Sequence, residues 1–398
     1  MAQLSPHVQT VHPNQIREIT QAAWAKPDAV VLSIGEPGFP TPAHILDAAR
    51  ATLDRDETGY TPNAGIAPLR SAFARHAGAA CGKEISAERI FVTSGAQQGL
   101  HLAMSLLLDA GDEILVPNPG YPTFAMTANL LHAVPVEYPL YPENGFQPRI
   151  EDIEALLSPR TRVLLLNSPS NPLGSVFSPQ LTQALVELAR RRDLWILSDE
   201  CYEAFTFDVP HVSALQYDGV GGERVIASLT LSKTYGLTGL RIGALVLPAG
   251  LELLASTVME SIVSCVASPS QYAAVAALTG PQDYVLEAAA HYRANRDAAV
   301  QVLEEKGISY LPAQGAFYLW ADLSYASGGS VRRWAERFLA EEGVAFAPGT
   351  AFGPRGEGWI RVALCGDRDG LVTGLRRLPH GPATAVSSPS VYRDPPRP

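Results

Sequence analysis

SLTLSKTYGLTGLRIG, residues 228–243, places a lysine directly after an apolar run that has the length of a buried strand. Buried lysines are rare in proteins unless they are paired or used covalently. Only four of the 30 basic residues are lysines, and Lys26, Lys83 and Lys306 stand in contexts typical of the surface: before a proline, in a loop, and at a helix end. Lysine chemistry therefore points to Lys233, although position alone leaves a structural role open.

Outward from this stretch, short apolar runs alternate with helix-like segments from about residue 40 to residue 250. This alternation is typical of strands joined by crossover helices, and runs that are apolar on every residue are typical of sheets buried on both faces. The sequence therefore predicts an α/β fold with a mostly parallel sheet and helices on both faces. The predicted strands are 89–93, 113–117, 162–167, 194–199, 225–230 and 241–247.

The rest of the chain suggests further units. From about residue 250 the pattern is helical, and it ends in a long segment, 282–307, suited to connect two domains. Strands and helices of a smaller α+β unit follow. We predict an N-terminal segment that packs on the small domain or on a partner subunit, a large domain, a small domain, and a disordered proline-rich tail. Their predicted bounds are 1–39, 40–290, 291–378 and 379–398.

Composition excludes several classes of function. The 398 residues are 46% hydrophobic and carry a net charge of −10, which favours a globular protein and disfavours nucleic acid as a partner. The four cysteines are far apart and form no CxxC pair, so neither a disulfide framework nor a metal site is predicted. The first twenty residues lack a signal-peptide pattern, and no apolar stretch approaches the length of a membrane span. We expect a cytoplasmic protein.

Polar residues follow several predicted strands at the edge where open α/β sheets bind their ligands. Asp199 ends one strand, Asn167 and Asn171 follow another, and the turn 94–97 follows a third. Each is weak evidence alone, because Asp199 could cap a helix and the asparagines could belong to a rigid turn. Together with Lys233 they describe one ligand, a cationic heterocycle that carries a phosphate and an aldehyde.

Nine short motifs, most of them rich in glycine, proline or small polar residues, follow one another along the chain. They are IGEPGFPTP (34–42), GYTPNAG (59–65), SGAQQGL (94–100), NPGYPTF (118–124), NSPSNPLG (167–174), SDECY (198–202), SLTLSK (228–233), GLRIG (239–243) and IRVAL (360–364). This ordered set resembles the fold-type I pyridoxal-phosphate aminotransferases of class I/II, which include aspartate, alanine and aromatic aminotransferases. The match spans about residues 15–378. It implies a seven-stranded sheet in a large domain that binds pyridoxal phosphate.

The resemblance also implies roles for individual residues. Lys233 would hold the cofactor as a Schiff base and, once released by the amino acid, would move the proton of the reaction as a general base. Asp199 would face the pyridine nitrogen and keep it protonated, so that the ring can accept electrons. Asn171 and Tyr202 would donate hydrogen bonds to the phenolic oxygen, and Tyr121 would stack on the ring.

For the phosphate group the resemblance implies donors at a helix N-terminus, where backbone N–H groups and the helix dipole favour an anion. Charged and hydroxyl side chains would complete the site, together with a tyrosine from the neighbouring subunit, which implies a homodimer with shared active sites. The residues concerned are Gly95, Ala96 and Gln97 for the backbone, Thr230, Ser232 and Arg241 for the side chains, and Tyr60 for the neighbouring subunit.

Arg361 would bind the α-carboxylate of the substrate, because a bidentate guanidinium fixes the orientation of the amino acid. Gly35 and Asn171 would assist it. The alternative is that Arg361 is an ordinary surface arginine on an edge strand. The substrates implied are an amino acid and a 2-oxo acid, in a ping-pong transamination.

Two positions depart from the aspartate-specific members of the family, which have a lysine where Gln97 stands and a tryptophan where Tyr121 stands. A dicarboxylate donor is therefore less favoured. A pocket formed by Ile34, Phe39, Tyr60 and Tyr121 would favour a neutral, aromatic or small aliphatic amino acid. Gly38, which stands where the family commonly has aspartate, has no explanation at the level of sequence.

Other functions remain open on this evidence. A carbon–sulfur β-lyase would use the same fold and cofactor, because the early chemistry is shared. A noncatalytic module of a transcription regulator would need a DNA-binding domain ahead of it, for which the short N-terminus leaves no room. A nicotinamide dehydrogenase is disfavoured because no GxGxxG follows any predicted strand.

Overall fold

The fold is that of a computed structural model, which describes residues 5–11, 13–219 and 221–382. Its strands, in chain order, are β1 (Val30–Val31), β2 (Ile90–Thr93), β3 (Glu113–Asn118), β4 (Val134–Pro139), β5 (Thr161–Asn167), β6 (Trp195–Asp199), β7 (Val225–Thr230), β8 (Gly243–Val246), β9 (Tyr310–Leu311), β10 (Tyr318–Asp322), β11 (Val344–Ala345), β12 (Ala347–Pro348) and β13 (Trp359–Ala363).

The helices surround these strands and fill the connections between them. They are α1 (Gln15–Trp24), α2 (Ala43–Asp54), α3 (Ala67–Cys81), α4 (Gly95–Leu107), α5 (Thr123–Leu130), α6 (Ile150–Ala155), α7 (Pro179–Arg191), α8 (Leu231–Thr234), α9 (Glu252–Ile262), α10 (Ser268–Thr279), α11 (Asp283–Glu305), α12 (Ser324–Ser327), α13 (Val331–Glu342) and α14 (Arg368–Arg376).

Seven strands of the described residues form the central sheet, in the order β2-β8-β7-β6-β5-β3-β4. Neighbouring strands are parallel except for β8, which is antiparallel to both β2 and β7. The predicted α/β fold with a mostly parallel sheet is thereby confirmed. The inner strands β5 and β7 are buried along almost their whole length, which explains their continuous apolar sequences.

One strand of the sheet, β4, escaped the sequence analysis because its sequence VPVEYP contains two prolines. Proline has no N–H to donate to a strand ladder, so it is tolerated at the edge of a sheet and not in its interior. β4 lies at that edge and pairs with β3 alone. At the edge of the sheet, the two prolines of β4 are therefore compatible with a strand.

Helix α7 has residues at both ends that stabilise helix termini. In α7, Ser178 accepts a hydrogen bond from the Leu181 N–H, and Pro179 occupies the first turn. Arg190 and Arg191 stand in the last turn, where their charge complements the helix dipole. The segment predicted as a long connector is the single helix α11 of 23 residues.

A smaller, four-stranded sheet has the order β12-β13-β10-β9, and all its pairings are antiparallel. The N-terminal segment packs on this part of the chain, because β1 pairs in parallel with β11. Lys26 also donates hydrogen bonds to the carbonyl groups of Leu339 and Ala340, at the end of α13. Buried apolar residues form one cluster mainly around the large sheet and a second around the small one.

The predicted domain bounds stay predictions. At the start of the predicted tail, the Pro379 carbonyl accepts a hydrogen bond from Tyr325 and the Gly381 N–H donates one to the Lys306 carbonyl. Residues 383–398 of that tail lie outside the described residues. No helix in the part of the chain that the structure describes is long and apolar enough to cross a membrane.

Replacing Leu164 with alanine tests the importance of the central sheet. Leu164 lies in the middle of β5 and is fully buried, so the Leu164→Ala variant should lose about 2–5 kcal/mol of unfolding free energy through lost burial and a residual cavity. The measurement is a urea unfolding curve. The matched control is Leu286→Ala, because Leu286 is 70% exposed, and we expect a change within about 0.5 kcal/mol. Equal losses in the two variants would contradict this account of the core.

Candidate active site

The parallel strands bring polar residues to one edge of the central sheet. Asn167 at the end of β5 is paired in register with Asp199 at the end of β6, and Asp199 is paired with Ser228 of β7. Helix α8, which carries Lys233, begins directly after β7. A cavity of about 750 Å³ opens at this edge. Residues that are far apart in sequence are therefore assembled by the sheet alone.

Most of the site residues predicted from the sequence line this cavity. They are Gly35, Ala96, Gln97, Tyr121, Asn171, Asp199, Tyr202, Thr230, Ser232, Lys233, Arg241 and Arg361. Gly95 lies immediately behind them, since a Cβ atom added to it would stand 2.9 Å from Arg241 Nη2. Tyr60 is not brought to this cavity: it is 95% exposed and lines a separate cleft beside Cys265.

Lys233 lies in the short helix α8, which begins directly after β7, and it lines the cavity. The Thr230 hydroxyl accepts a hydrogen bond from the Ser232 N–H and so caps the short helix. The Lys233 ammonium donates a hydrogen bond of 2.8 Å to the Gly35 carbonyl. Burial lowers the pKa of Lys233, because a poorly solvated site disfavours the charged amine.

Asp199 faces the cavity from the end of β6. One of its carboxylate oxygens accepts a hydrogen bond of 3.2 Å from the Cys201 N–H. Burial raises the pKa of Asp199 to about 6. The next residue, Glu200, points the other way and accepts hydrogen bonds from the Ser198 and Ser213 hydroxyls at 2.8 Å and 3.1 Å. The hydrogen bonds of Glu200 thus stabilise the turn that follows Asp199.

Arg361 comes from β13 of the small sheet and is only 2% exposed. Its guanidinium lies between the rings of Tyr318 and Phe352, 4.2 Å and 4.9 Å from their centres. It donates hydrogen bonds of 2.7 Å to Asn171 Oδ1 and 2.5 Å to the Ser33 carbonyl, while its buried Nε has no hydrogen-bond partner among the residues that the structure describes. The alternative interpretation of Arg361 as a surface arginine is wrong.

The N-terminus of α4 lies at the opposite end of the cavity. Ser94 makes no side-chain cap with this helix, and Gly95 has a φ of +71°, a backbone conformation that glycine adopts without strain. The buried Ser232 hydroxyl has no hydrogen-bond partner among the described residues. The guanidinium of Arg241 reaches the same place and donates to the carbonyls of Thr238 and, more weakly, Ser94.

Tyr202 and Tyr121 border the space between these two ends. The Tyr202 hydroxyl lies 2.9 Å from the Tyr318 hydroxyl, and burial raises the pKa of both phenols, that of Tyr318 to about 12. The Tyr121 ring meets Phe124 edge-on, with ring centres 5.6 Å apart. Tyr121 is thereby held with part of its surface toward the cavity.

Several residues of the cavity were missed at the level of sequence, namely Asn14, Ile16, Arg17, Thr20, Trp24, Glu36, Leu100, Thr123, Cys201, Thr238, Gly239 and Tyr318. Five of them belong to α1 or its cap, in the N-terminal segment that we predicted to pack on the small domain or on a partner subunit. A signal was present, because Asn14 caps the helix at the Ile16 N–H and buried positions recur at Ile16, Ile19 and Ala23 with helical spacing.

The structure also accounts for the IGEPGFPTP motif. Phe39 does not line the cavity as we expected; its ring packs edge-on against His291 at 4.8 Å. A Cβ atom at Gly38 would stand 2.6 Å from the Cys365 carbonyl, which also accepts the Gly38 N–H. Close backbone contact therefore favours glycine at position 38.

Comparisons with known proteins agree with this geometry. The family model for aminotransferase class I and II matches residues 27–378. The chain is 33% identical to an aspartate aminotransferase of Pyrococcus horikoshii, over 94% of this chain and 96% of that protein. It is 32% identical to aromatic-amino-acid aminotransferase 2 of Thermococcus litoralis, over 94% of this chain and 97% of that protein.

Solved structures give the same result. Thermus thermophilus aspartate aminotransferase, in a crystal structure with maleate, superposes with a TM-score of 0.89 at 32% identity, covering 95% of this chain and 99% of that one. The fold and sequence thus agree over nearly the whole length. This chain therefore belongs to the class I and II aminotransferases and moves an amino group between an amino acid and a 2-oxo acid.

Proposed function

We propose that this aminotransferase binds pyridoxal phosphate at Lys233 and transfers the α-amino group of a neutral amino acid to a 2-oxo acid. One observation supports this most strongly. Lys233, Asp199 and Arg361 all face one cavity in poorly solvated positions, and none of them forms an ion pair with another described residue. Such charges are costly without a partner. A ligand with a cationic ring and two anionic groups would supply the missing partners.

The residues present fit pyridoxal phosphate. The uncapped N-terminus of α4, the unpartnered Ser232 hydroxyl and the guanidinium of Arg241 form a cradle with the chemistry of a phosphate site. Gly95, Ala96 and Gln97 would contribute backbone N–H groups to it, and the Thr230 hydroxyl lies beside them. When bound, pyridoxal phosphate supplies an aldehyde that can join an amine and a ring that can accept electrons.

We assign two tasks to Lys233. Its amine would hold the cofactor in the resting enzyme, and it would then move the proton between the Cα of the amino acid and the cofactor. The lowered pKa of Lys233 favours the second task, because more of the amine is neutral near pH 7 and able to accept a proton. The Gly35 carbonyl, 2.8 Å away, orients the amine toward the cavity.

Asp199 would keep the ring nitrogen of the cofactor protonated. In the protein alone its pKa is about 6, and an adjacent cation would lower that value and fix the carboxylate in its charged form. Asn171 is oriented for a complementary task. Its Oδ1 accepts from Arg361, so its amide N–H groups are left to donate to the phenolic oxygen of the cofactor, beside the Tyr202 hydroxyl. Tyr121 would stack on the ring.

Arg361 would bind the substrate α-carboxylate. Two of its N–H groups are already used by Asn171 and Ser33, which fixes the plane of the guanidinium and leaves other donors for the ligand. A carboxylate held this way orients the Cα of the amino acid relative to Lys233. Gly35 would assist, because its lack of a side chain lets the Tyr318 hydroxyl lie against the backbone there.

The wall of the cavity favours a neutral donor. Apolar or aromatic surface comes from five of its lining residues, Ile16, Trp24, Ile34, Leu100 and Tyr121. The family position occupied by lysine in aspartate-specific members carries the neutral Gln97, whose amide donates to the Thr127 hydroxyl. Arg17 and Glu36 stand at the exposed rim with opposite charges and therefore add no net charge.

A homodimer is supported by an apolar patch on the large domain. The Asn63 amide donates to the Ser256 carbonyl and the Glu260 carboxylate, so the loop that carries Tyr60 lies against α9. Large apolar side chains exposed to this degree are candidates for an interaction site. The patch comprises Tyr60, Leu253, Leu254, Ile262 and Val263. We propose that a second copy of the chain covers it and that Tyr60 completes the partner's phosphate site.

Four unpaired cysteines support a location in the cytoplasm.

The covalent role of Lys233 can be tested by trapping. Borohydride reduction of the purified enzyme should add one pyridoxyl phosphate group to the peptide that contains Lys233, as read by mass spectrometry. Lys233→Ala should lack this modification and lose activity by at least a thousandfold, since both anchor and base are gone. Lys83→Ala is the control and should keep both. Modification of another lysine, or activity that survives in Lys233→Ala, would refute the assignment.

The donor preference can be tested with a panel of amino acids against pyruvate and 2-oxoglutarate. We expect kcat/KM for phenylalanine or leucine to exceed that for aspartate by at least about tenfold, because burial against the apolar wall stabilises an apolar side chain and the neutral Gln97 offers no positive charge to a second carboxylate. Equal or better turnover of aspartate would overturn the preference. Product formation that needs no 2-oxo acid would be incompatible with transamination.

The dimer can be tested by sedimentation equilibrium. The wild type should have about twice the 42.5 kDa of one chain. Val263→Asp should dissociate it at micromolar concentration, because a buried unpaired carboxylate opposes association. Leu286→Asp changes an exposed leucine outside the patch, 70% exposed against 45% for Val263, and should leave the dimer intact. A monomeric wild type, or a dimer unaffected by Val263→Asp, would argue against this interface.

A further inference from the structure

Tyr318 contacts three parts of the proposed active site at once. Its hydroxyl lies 2.9 Å from the Tyr202 hydroxyl. Its ring lies 4.2 Å below the guanidinium of Arg361. The same hydroxyl occupies the space above Gly35, where an added Cβ atom would stand only 1.9 Å away. No signal in the sequence singled out this residue, which belongs to β10 in the small sheet.

We propose that Tyr318 is a positioning residue with two separable tasks: its hydroxyl directs the proton of Tyr202 toward the cofactor, and its ring fixes the plane of Arg361 for the substrate carboxylate. This inference rests on the proposed function, because it assigns Tyr202 to the cofactor and Arg361 to the substrate.

The first task follows from counting protons. A phenol has one O–H to donate and two lone pairs that accept. If Tyr202 donates its proton into the cavity, then the bond of 2.9 Å between the two hydroxyls must use the Tyr318 proton, with Tyr202 as acceptor. Both phenols are buried, and their pKa values are raised, so both keep their protons near neutral pH. Tyr318 thereby sets the direction of the Tyr202 O–H group.

Such a chain of hydrogen bonds has an electronic effect. A hydroxyl that accepts a hydrogen bond becomes a stronger donor in turn. Tyr202 would then withdraw more charge from the phenolic oxygen of the cofactor, and that oxygen would hold the proton on the Lys233 nitrogen less firmly. The other titratable and charged groups that face these phenols and Lys233 are Arg361, Cys365, Cys201, Tyr121, Asp199 and Glu36. None of them changes when the Tyr318 hydroxyl alone is removed.

The second task follows from the surroundings of Arg361. Its guanidinium is stacked between Tyr318 and Phe352, so rotation out of this plane would require one of the two rings to move. The two aromatic rings beside the guanidinium favour the cation. They leave the edge with its N–H donors as the direction in which we expect a carboxylate to bind. The ring of Tyr318, and not its hydroxyl, performs this task.

Two substitutions separate the tasks. Tyr318→Phe removes the hydroxyl and keeps the ring, whereas Tyr318→Leu removes both. Tyr310→Phe is the matched control, because Tyr310 lies in the neighbouring strand β9 and its hydroxyl bonds Glu304 at the surface. The readouts are the pH midpoint of the visible absorbance of the resting holoenzyme, the KM for the amino acid, and the dissociation constant of its nonreactive α-methyl analogue.

We expect Tyr318→Phe to raise the absorbance midpoint by about 0.3–1 pH unit with less than about a twofold change in KM and in analogue binding. Tyr318→Leu should show the same rise and also weaken analogue binding by about 5- to 30-fold, because the stacking on Arg361 is lost. Tyr310→Phe should match the wild type in both readouts. Far-UV circular dichroism and the urea midpoint check that the variants are folded.

Each task has its own contrary result. An unchanged or lowered midpoint in Tyr318→Phe would overturn the role of the hydroxyl. Analogue binding by Tyr318→Leu that equals that of Tyr318→Phe would overturn the role of the ring. Failure of the proposed function is distinguishable, because the wild type would then show no visible absorbance with added pyridoxal phosphate and no lysine modification after borohydride reduction.

Discussion

Removing a charged group from water costs several kcal/mol unless a partner replaces the lost solvation. This cost is the constraint around which the site is arranged. Lys233, Asp199 and Arg361 face a single cavity without ion-pair partners among the described residues, and the protein supports each of them only with neutral groups. Other buried charges are paired, as Glu113 is with Arg160 and with the Ser158 and Thr161 hydroxyls, or are held by neutral groups, as Arg89 is by the Leu247 carbonyl. At the cavity, three charged groups without ion pairs face one open space, and this supports the proposal of a charged ligand there.

The large sheet makes this arrangement possible because it fixes the backbone before any side chain is placed. Buried strands such as β5 and β6 tolerate almost no change in register, since a shift by one residue would exchange their two faces. The register of the paired strands therefore fixes the positions of Asp199 at the end of β6 and Thr230 at the end of β7. Side chains on regular elements are held more firmly than side chains on long loops, so the reactive groups gain orientation from hydrophobic packing far from the chemistry.

The sequence predicted this part well, and for a physical reason. Continuous apolar runs and the polar residues that end them are local signals, and parallel strands collect such ends at one edge. Arg361, Asp199 and Lys233 were identified through motifs that stand directly on these elements. Tyr318 and α1 were missed because their importance depends on contacts between distant segments, such as the bond between the Tyr202 and Tyr318 hydroxyls, 116 positions apart. Tyr60 is a different case, because its predicted partner is the phosphate site of a second copy of the chain. Contacts within a single chain do not test that prediction.

The site also joins two bodies of apolar packing. Asp199 belongs to the large sheet and Lys233 to helix α8 directly after it, whereas Arg361 and Tyr318 belong to the small sheet. Two polar contacts cross between them at the site: Arg361 with Asn171, and Tyr318 with Tyr202. The first bond connects a group assigned to the substrate with a group assigned to the cofactor, and the second connects the residue that positions Arg361 with a group assigned to the cofactor. An amino acid bound at Arg361 would therefore affect the donors around the cofactor through hydrogen bonds that already exist, and the small sheet contributes orientation as well as a binding residue.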